Sequence, residues 1–240
     1  MSVSVALAVY NGECFLSEQL DSILLQLGEG DEVVISYDKS TDNTLSLLQK
    51  YAQNDKRINI FFNDTPGVVG NFSNAIEHCK NEYIFLSDQD DIWLPGKVEK
   101  VVSLFSSQST LAVIHDYKLV DKDLNTLHES GFVLRGGSCS VLKNLVRLSY
   151  IGCCMAFRNN AKAAILPIAT KERSHDWWIG TVLGMLGEVK LLEEPLILHR
   201  MHENNATPKK RPGVKYQLKV RCLILFNAIF RFMKIKLKVT

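Results

Sequence analysis

The chain opens on an apolar, β-branched-rich run, Val3–Val9, that breaks at Tyr10-Asn11-Gly12. A continuous apolar run of this kind predicts a strand covered on both faces. Phe15, Leu16, Leu20, Ile23, Leu24 and Leu27 then recur at three-and-four spacing, which predicts an amphipathic helix. Gly28 and Gly30 end it. Residues 33–37 read as a second strand. Asp42 is placed to cap a helix over 43–52 that carries Leu45, Leu47, Leu48 and Tyr51. A third strand over 58–62, a helix near 72–79 and a fourth strand over 83–87 continue the rhythm.

Strand, helix, strand, helix at this pace predicts an α/β fold, a mostly parallel wound sheet with helices on both faces. Ligands of such sheets bind beyond the carboxyl ends of the strands. Tyr10-Asn11, Asp38 and Asp88-Gln89-Asp90-Asp91 all follow strands and should share one edge. The second half is less regular. A strand is expected over 111–115, a helix over 140–148, a short apolar piece over 152–157 and a helix over 176–186. Short strands are expected over 189–192 and 196–199. The clear boundary is Pro208-Lys209-Lys210-Arg211-Pro212-Gly213, which divides a single domain, 1–207, from a C-terminal segment, 208–240.

Composition sharpens this picture in two places. The 240 residues are 46% hydrophobic and 22% charged, enough for one sizeable core and unlike a disordered chain. The formal net charge of +2 hides an asymmetry. From Lys209 onward there are ten basic residues and no acidic one, leaving 18 Lys+Arg against 26 Asp+Glu before it. The six cysteines form no C-x-x-C pair, so zinc-site spacing is absent and reduced thiols are expected. The first strand begins too early for a secretion signal. A cytoplasmic setting is the expectation.

The densest chemistry is Ser87-Asp88-Gln89-Asp90-Asp91-Ile92-Trp93. Carboxylates this close repel and raise one another's pKa unless a cation neutralises them. Oxygen-rich clusters suit hard ions such as Mg²⁺ or Mn²⁺, which often share their shell with substrate phosphates. The bland reading is a solvated loop in which Asp90 or Asp91 caps the helix after Leu94-Pro95. Position at a strand end of a wound sheet favours the metal reading.

With these pieces in place, the chain resembles the GT-A-fold, family-two nucleotide-sugar glycosyltransferases, especially bacterial members that build O-antigen and capsular polysaccharides. The matches are Val5-Ala6-Leu7-Ala8-Val9-Tyr10-Asn11-Gly12-Glu13, Ser40-Thr41-Asp42-Asn43-Thr44, Ser87 to Trp93, Ser174-His175-Asp176-Trp177-Trp178, and His199-Arg200-Met201-His202-Glu203-Asn204-Asn205. They run in the same order over about residues 3 to 206. The resemblance implies that Ala8, Tyr10, Asn11, Glu13 and Asp38 hold the nucleotide base and ribose. Asn71, Asp88 and Gln89 join the donor-binding set. It implies Asp90 as metal ligand, with His202 completing the shell, and Asp176 as general base. The family usually shows Asp-Asp-Gly-Ser after the second strand, whereas this chain reads Tyr37-Asp38-Lys39-Ser40. If base recognition needs both carboxylates, donor binding is altered here. Lys39 is expected to face water rather than a phosphate.

The reaction so implied is inverting, metal-dependent transfer of a sugar from a nucleotide-diphosphate donor to a saccharide or lipid-linked oligosaccharide. A UDP-hexose is the first expectation for the donor and dTDP-rhamnose its competitor. Asp176 by itself reads more readily as a helix cap, and only the resemblance favours the base. Adjacent helical residues diverge, so one of Trp177 and Trp178 is expected in the core and the other against the acceptor. His115 and His175 read as structural, and Arg200 either meets the diphosphate or forms an internal salt bridge. The basic tail has an uncharged run of only nine residues, 222–230, too short to span a bilayer but suited to an anionic inner membrane surface. No motif supports nucleic-acid binding. The rival class is a non-catalytic saccharide-binding or assembly protein on a transferase scaffold.

Overall fold

The computed structural model describes residues 1–146, 149–170, 175–203, 205 and 213–239. Its first half alternates β1 (Val3–Val9), α1 (Leu16–Leu24), β2 (Glu32–Tyr37), α2 (Thr44–Asn54), β3 (Ile58–Phe62), α3 (Val68–His78) and β4 (Tyr83–Ser87). β5 (Ile92–Trp93) and α4 (Lys97–Ser103) follow, then β6 (Thr110–Asp121), β7 (Thr126–His128), α5 (Gly131–Arg135) and α6 (Val141–Val146). The chain closes with β8 (Met155–Arg158), α7 (Lys162–Ile165), α8 (His175–Leu186), β9 (Glu188–Met201) and α9 (Val214–Val239).

The described strands form one sheet in the order β3-β2-β1-β4-β8-β6-β9-β5, with β7 on β6. β1 runs parallel to β2, from Ser4↔Glu32 to Val9↔Tyr37, and parallel to β4, from Val3↔Tyr83 to Leu7↔Ser87. β3 is parallel to β2. The carboxyl ends of all four therefore meet at one edge, as the wound pattern predicts. Side chains alternate between faces along a strand, and residues 3–7 of β1 are all buried, so helices cover both sides. β8 is antiparallel to β4 and β6, and β9 returns parallel to β6.

Three departures from the sequence expectation shape the sheet and its edge. Residues 189–192 and 196–199 belong to one strand, β9. Its register against β6 passes from His115↔Leu192 directly to Asp116↔Pro195. The excess residues, Glu193 and Glu194, bulge out, and the bulge is what admits a proline inside a strand. β6 continues well past the expected 111–115 because β9 pairs with it as far as Asp121↔Met201. α3 begins at Val68 rather than near 72, behind Gly67 at φ 112°, a left-handed entry that favours glycine.

α8 is buried along most of its length. α9 packs on α7 and α8. Ile224 and Ala228 are buried there, and Arg231 donates to the carbonyls of Ala164, Leu166 and Pro167 at 2.9, 2.6 and 2.9 Å. The expected boundary between 207 and 208 lies outside the described residues. Among the described residues no helix is long and apolar enough to cross a membrane.

Candidate active site

The edge where β1, β2 and β4 end is built from loops that hold one another. Asn11 takes a left-handed turn, φ 48°, which asparagine tolerates better than most residues. Its Oδ1 accepts the Thr41 N–H at 2.8 Å, and its own N–H donates to Ser40 Oγ at 3.0 Å. Glu13 accepts from the backbone and side chain of Asn43 at 3.0 and 2.7 Å. Gln89 brackets Tyr10, accepting its N–H and donating to its carbonyl, each at 2.7 Å. A Cβ on Gly12 would stand 2.8 Å from Gln89 Oε1, so the close approach requires glycine there. Asn71 is buried and donates to the Val9 carbonyl at 3.1 Å. Ala8 is half-buried and Tyr10 exposed.

Asp38 is buried and spends both oxygens on the next loop, accepting from Asn63 Nδ2 at 2.6 Å and the Gly67 N–H at 2.8 Å. The departure at 37 has a structural cause. Tyr37 turns into the core edge-on to Phe62, 5.6 Å between centroids, and its hydroxyl accepts the Ser40 N–H at 2.9 Å. Lys39 is exposed.

The carboxylates follow β4. Asp88 is half-buried, and burial together with Asp91 and Asp90 pushes its pKa up to about 8, with Asp176 also raising it. Asp90 is buried, and its Oδ2 lies 2.8 Å from His202 Nε2, just past the end of β9. The His202 ring rests on Phe15, 4.6 Å between centroids. Neither Asp90 nor Asp91 caps α4, whose N-cap is Gly96, so the bland reading of the cluster loses its basis.

Arg200 resolves toward the internal salt bridge. It is buried, pairs with Glu18 of α1, lies 4.5 Å over the Phe15 ring, and donates through Nε to the Asp90 carbonyl at 3.1 Å. The sequence reading missed Glu18 and Phe15 as supports of the site. Both sit on or beside α1, and nothing in their spacing distinguishes them from ordinary helix positions.

Asp176 occupies the first turn of α8, its Oδ1 accepting the Trp177 N–H at 2.7 Å. Burial raises its pKa to about 7, near the value suited to a base at neutral pH. Trp178 is fully buried and donates to the Ile165 carbonyl at 2.8 Å. Trp177 is only 5% exposed. Trp178 is thus the core member of the pair, as expected, and Trp177 is also largely covered by its surroundings. Residues 177–183 of α8 are all buried. His175 stacks on Phe72 at 4.1 Å, and burial lowers its pKa to about 3.

Beneath the cluster, Asp91, Cys153 and His199 bring potential ligand atoms within 4.8 Å of one another. This set does not suit the hard ion of a diphosphate site. A thiol is a soft ligand. Asp91 Oδ1 already meets His199 Nδ1 at 2.9 Å; burial opposes charge on that imidazole, but the Asp91 carboxylate prevails and lifts its pKa to about 9. The buried Lys97 lies close enough for Asp91 to act on its pKa. These groups form a buried charge network that carries the Asp90 loop.

Comparison with known proteins agrees with this architecture. The family model described as glycosyl transferase family 2 matches residues 4–165. The dTDP-rhamnosyl transferase RfbG of Shigella flexneri is 31% identical over 217 residues, covering 83% of this chain and 72% of RfbG. Among solved structures, S. aureus TarS 1–349 in complex with UDP-GlcNAc superposes with a TM-score of 0.69 at 19% identity, covering 93% of this chain and 65% of that one. The mannosyltransferase PcManGT from Pyrobaculum calidifontis, in complex with GDP-Man and Mn²⁺, gives 0.63 at 20%, covering 87% and 57%. At these identities the two structures establish the fold, GT-A. The chain spans less than two thirds of either.

Proposed function

The chain belongs to glycosyl transferase family 2, and from that premise we propose that it transfers a sugar from a nucleoside-diphosphate donor to a saccharide acceptor, with inversion, in bacterial surface polysaccharide synthesis. One observation carries the reading. Asp90 after β4 and His202 after β9 meet at 2.8 Å beyond the carboxyl edge of the sheet, which supports a metal and diphosphate site there, with Asp88 two residues before Asp90 and Asp176 at the head of α8 near enough to help raise the Asp88 pKa.

The donor set fits a divalent ion. A carboxylate oxygen and an imidazole nitrogen, from segments 112 residues apart in sequence, meet at 2.8 Å, and Asp88 adds a second carboxylate whose charge the site otherwise resists. Asp90 and His202 would hold Mn²⁺ or Mg²⁺. When bound, such an ion supplies counter-charge to the diphosphate leaving group. The remaining chemistry belongs to the chain. The Asp176 carboxylate takes the proton of the acceptor hydroxyl as its oxygen attacks the anomeric carbon. The bond from that carbon to the diphosphate oxygen breaks on the opposite face, and its electron pair leaves with the nucleotide. Asn11, Glu13, Gln89 and Asp38 keep the loops around the donor in register, and Arg200 fixes the backbone of Asp90.

With Tyr37 turned inward, a nucleotide base would be read by the Asp38 loop without a carboxylate at 37. The likeness to RfbG supports dTDP-rhamnose as a donor beside the UDP-hexose expected first. Thermal stabilisation against UDP, dTDP, GDP and CDP, each with and without Mn²⁺, tests the proposal. A shift that needs both one nucleotide and the metal supports it and names the donor class. No shift with any pair would instead leave a non-catalytic saccharide-binding or assembly protein.

A further inference from the structure

α9 has two faces with opposite surroundings. One packs on the body through Ile224 and Ala228, with Asn227 donating to the Ala169 carbonyl at 3.0 Å and Arg231 holding three more carbonyls. On the other, Leu223, Phe226, Ile229, Phe230 and Met233 are 41 to 69% exposed. At about 100° per residue these five fall within an arc of roughly 120°, on the side away from Ile224. Lys215 and Lys219 continue the same arc over the preceding turns, and Lys234 and Lys236 border it. The helix contains no Asp or Glu.

Five large apolar side chains on one exposed helix face exceed what a solvated helix needs. The charge around them selects what covers it. A second copy of the chain would bring lysine against lysine with no acidic partner on either helix. An anionic bilayer surface satisfies both features, taking the apolar stripe at the headgroup boundary and the lysines against its phosphates. We propose that the outer face of α9 docks the protein on an anionic lipid surface, lying along it rather than crossing it.

Arg221 on the inner face of α9 lies 5.8 Å over the Trp177 ring, and α9 packs along α8, so the docking helix is fixed to the body of the protein. The docking does not rest on the transfer reaction proposed above.

The test is co-sedimentation of the full chain with vesicles of phosphatidylcholine alone or mixed with phosphatidylglycerol. The wild type should be recovered with the mixed vesicles at least about tenfold more than with phosphatidylcholine, and high salt should remove the excess. Phe226→Ser with Phe230→Ser, and separately Lys215→Gln with Lys219→Gln, should each lose most of that recovery while the melting temperature stays unchanged. Equal recovery with both vesicles, or undiminished recovery of the Phe226 and Phe230 variant, would overturn the proposal. So would a concentration-dependent dimer in analytical ultracentrifugation that the same substitutions dissolve, because a second copy would then own the face. The nucleotide and Mn²⁺ thermal shift, read without vesicles, reports separately on the donor site, so the two proposals fail independently.

Discussion

The proposed roles of Asp176 and Asp90 rest on different surroundings. Asp176 is lifted to about 7 by burial, so the fraction in its basic, deprotonated form grows as pH rises through that value. The initial rate should rise across about pH 6 to 8 and level off above it, and Asp176→Asn should lower turnover by about 10²- to 10⁴-fold. The same substitution carries a stability signature. A carboxyl with a raised folded pKa favours the native state below its unfolded value, 3.8, and that advantage is lost as pH rises through about 7. Asn carries no such penalty. Asp176→Asn should therefore melt above the wild type at pH 8, with the difference fading toward pH 4; a lower melting point at pH 8 would refute this account of its burial. Asp90 faces an imidazole rather than apolar packing. Asp90→Asn should abolish the part of the nucleotide-induced thermal shift that depends on Mn²⁺ and leave the unliganded melting point within a few degrees. A retained metal effect would remove Asp90 as a ligand.

The elements matter through the loops they launch. β1 and β2 end in step at Val9↔Tyr37, so the segments after them lie side by side, and Asn11, Glu13, Ser40, Thr41 and Asn43 lace them together. The resemblance implies Asn11, Glu13 and Gln89 as donor contacts, and in the structure their side chains also bond neighbouring loops, which sets the shape of that edge. Two 2.7 Å hydrogen bonds hold Gln89 at Tyr10, and a Cβ at position 12 would crowd its carboxamide. Gly12→Ala should push Gln89 away, cost about 1–3 kcal/mol in urea unfolding and raise the donor KM. An unchanged KM would show that the Tyr10 loop does not depend on this clamp. β9 shows the same coupling over a longer range. Its bulge at Glu193 and Glu194 resets its register, after which His199 and Arg200 reach Asp91 and Asp90.

At the scale of the whole molecule, α9 closes the fold as well as offering a face outward. Ile224 is fully buried against the body, and Ile224→Ala should cost about 2–5 kcal/mol, measured by denaturant unfolding; a loss within error would show that α9 contributes no packing energy. What the sequence determined by itself is the wound half of the fold and the place of its chemistry. Apolar period and turn residues act within a few positions of each other, so β1 to β4, with α1 and α2 between them, and the carboxylate cluster at a strand end were all legible from neighbours. Only the tertiary structure decided the partners. That Arg200 joins Glu18 across 182 positions, that Tyr37 turns inward, that Trp177 is buried as well as Trp178, and that β9 is one strand all depend on how distant segments are brought together. Local periodicity fixes which residues want to be buried or exposed, but a pairing between remote side chains is chosen by strand order and loop closure, and neither leaves a local trace in the chain.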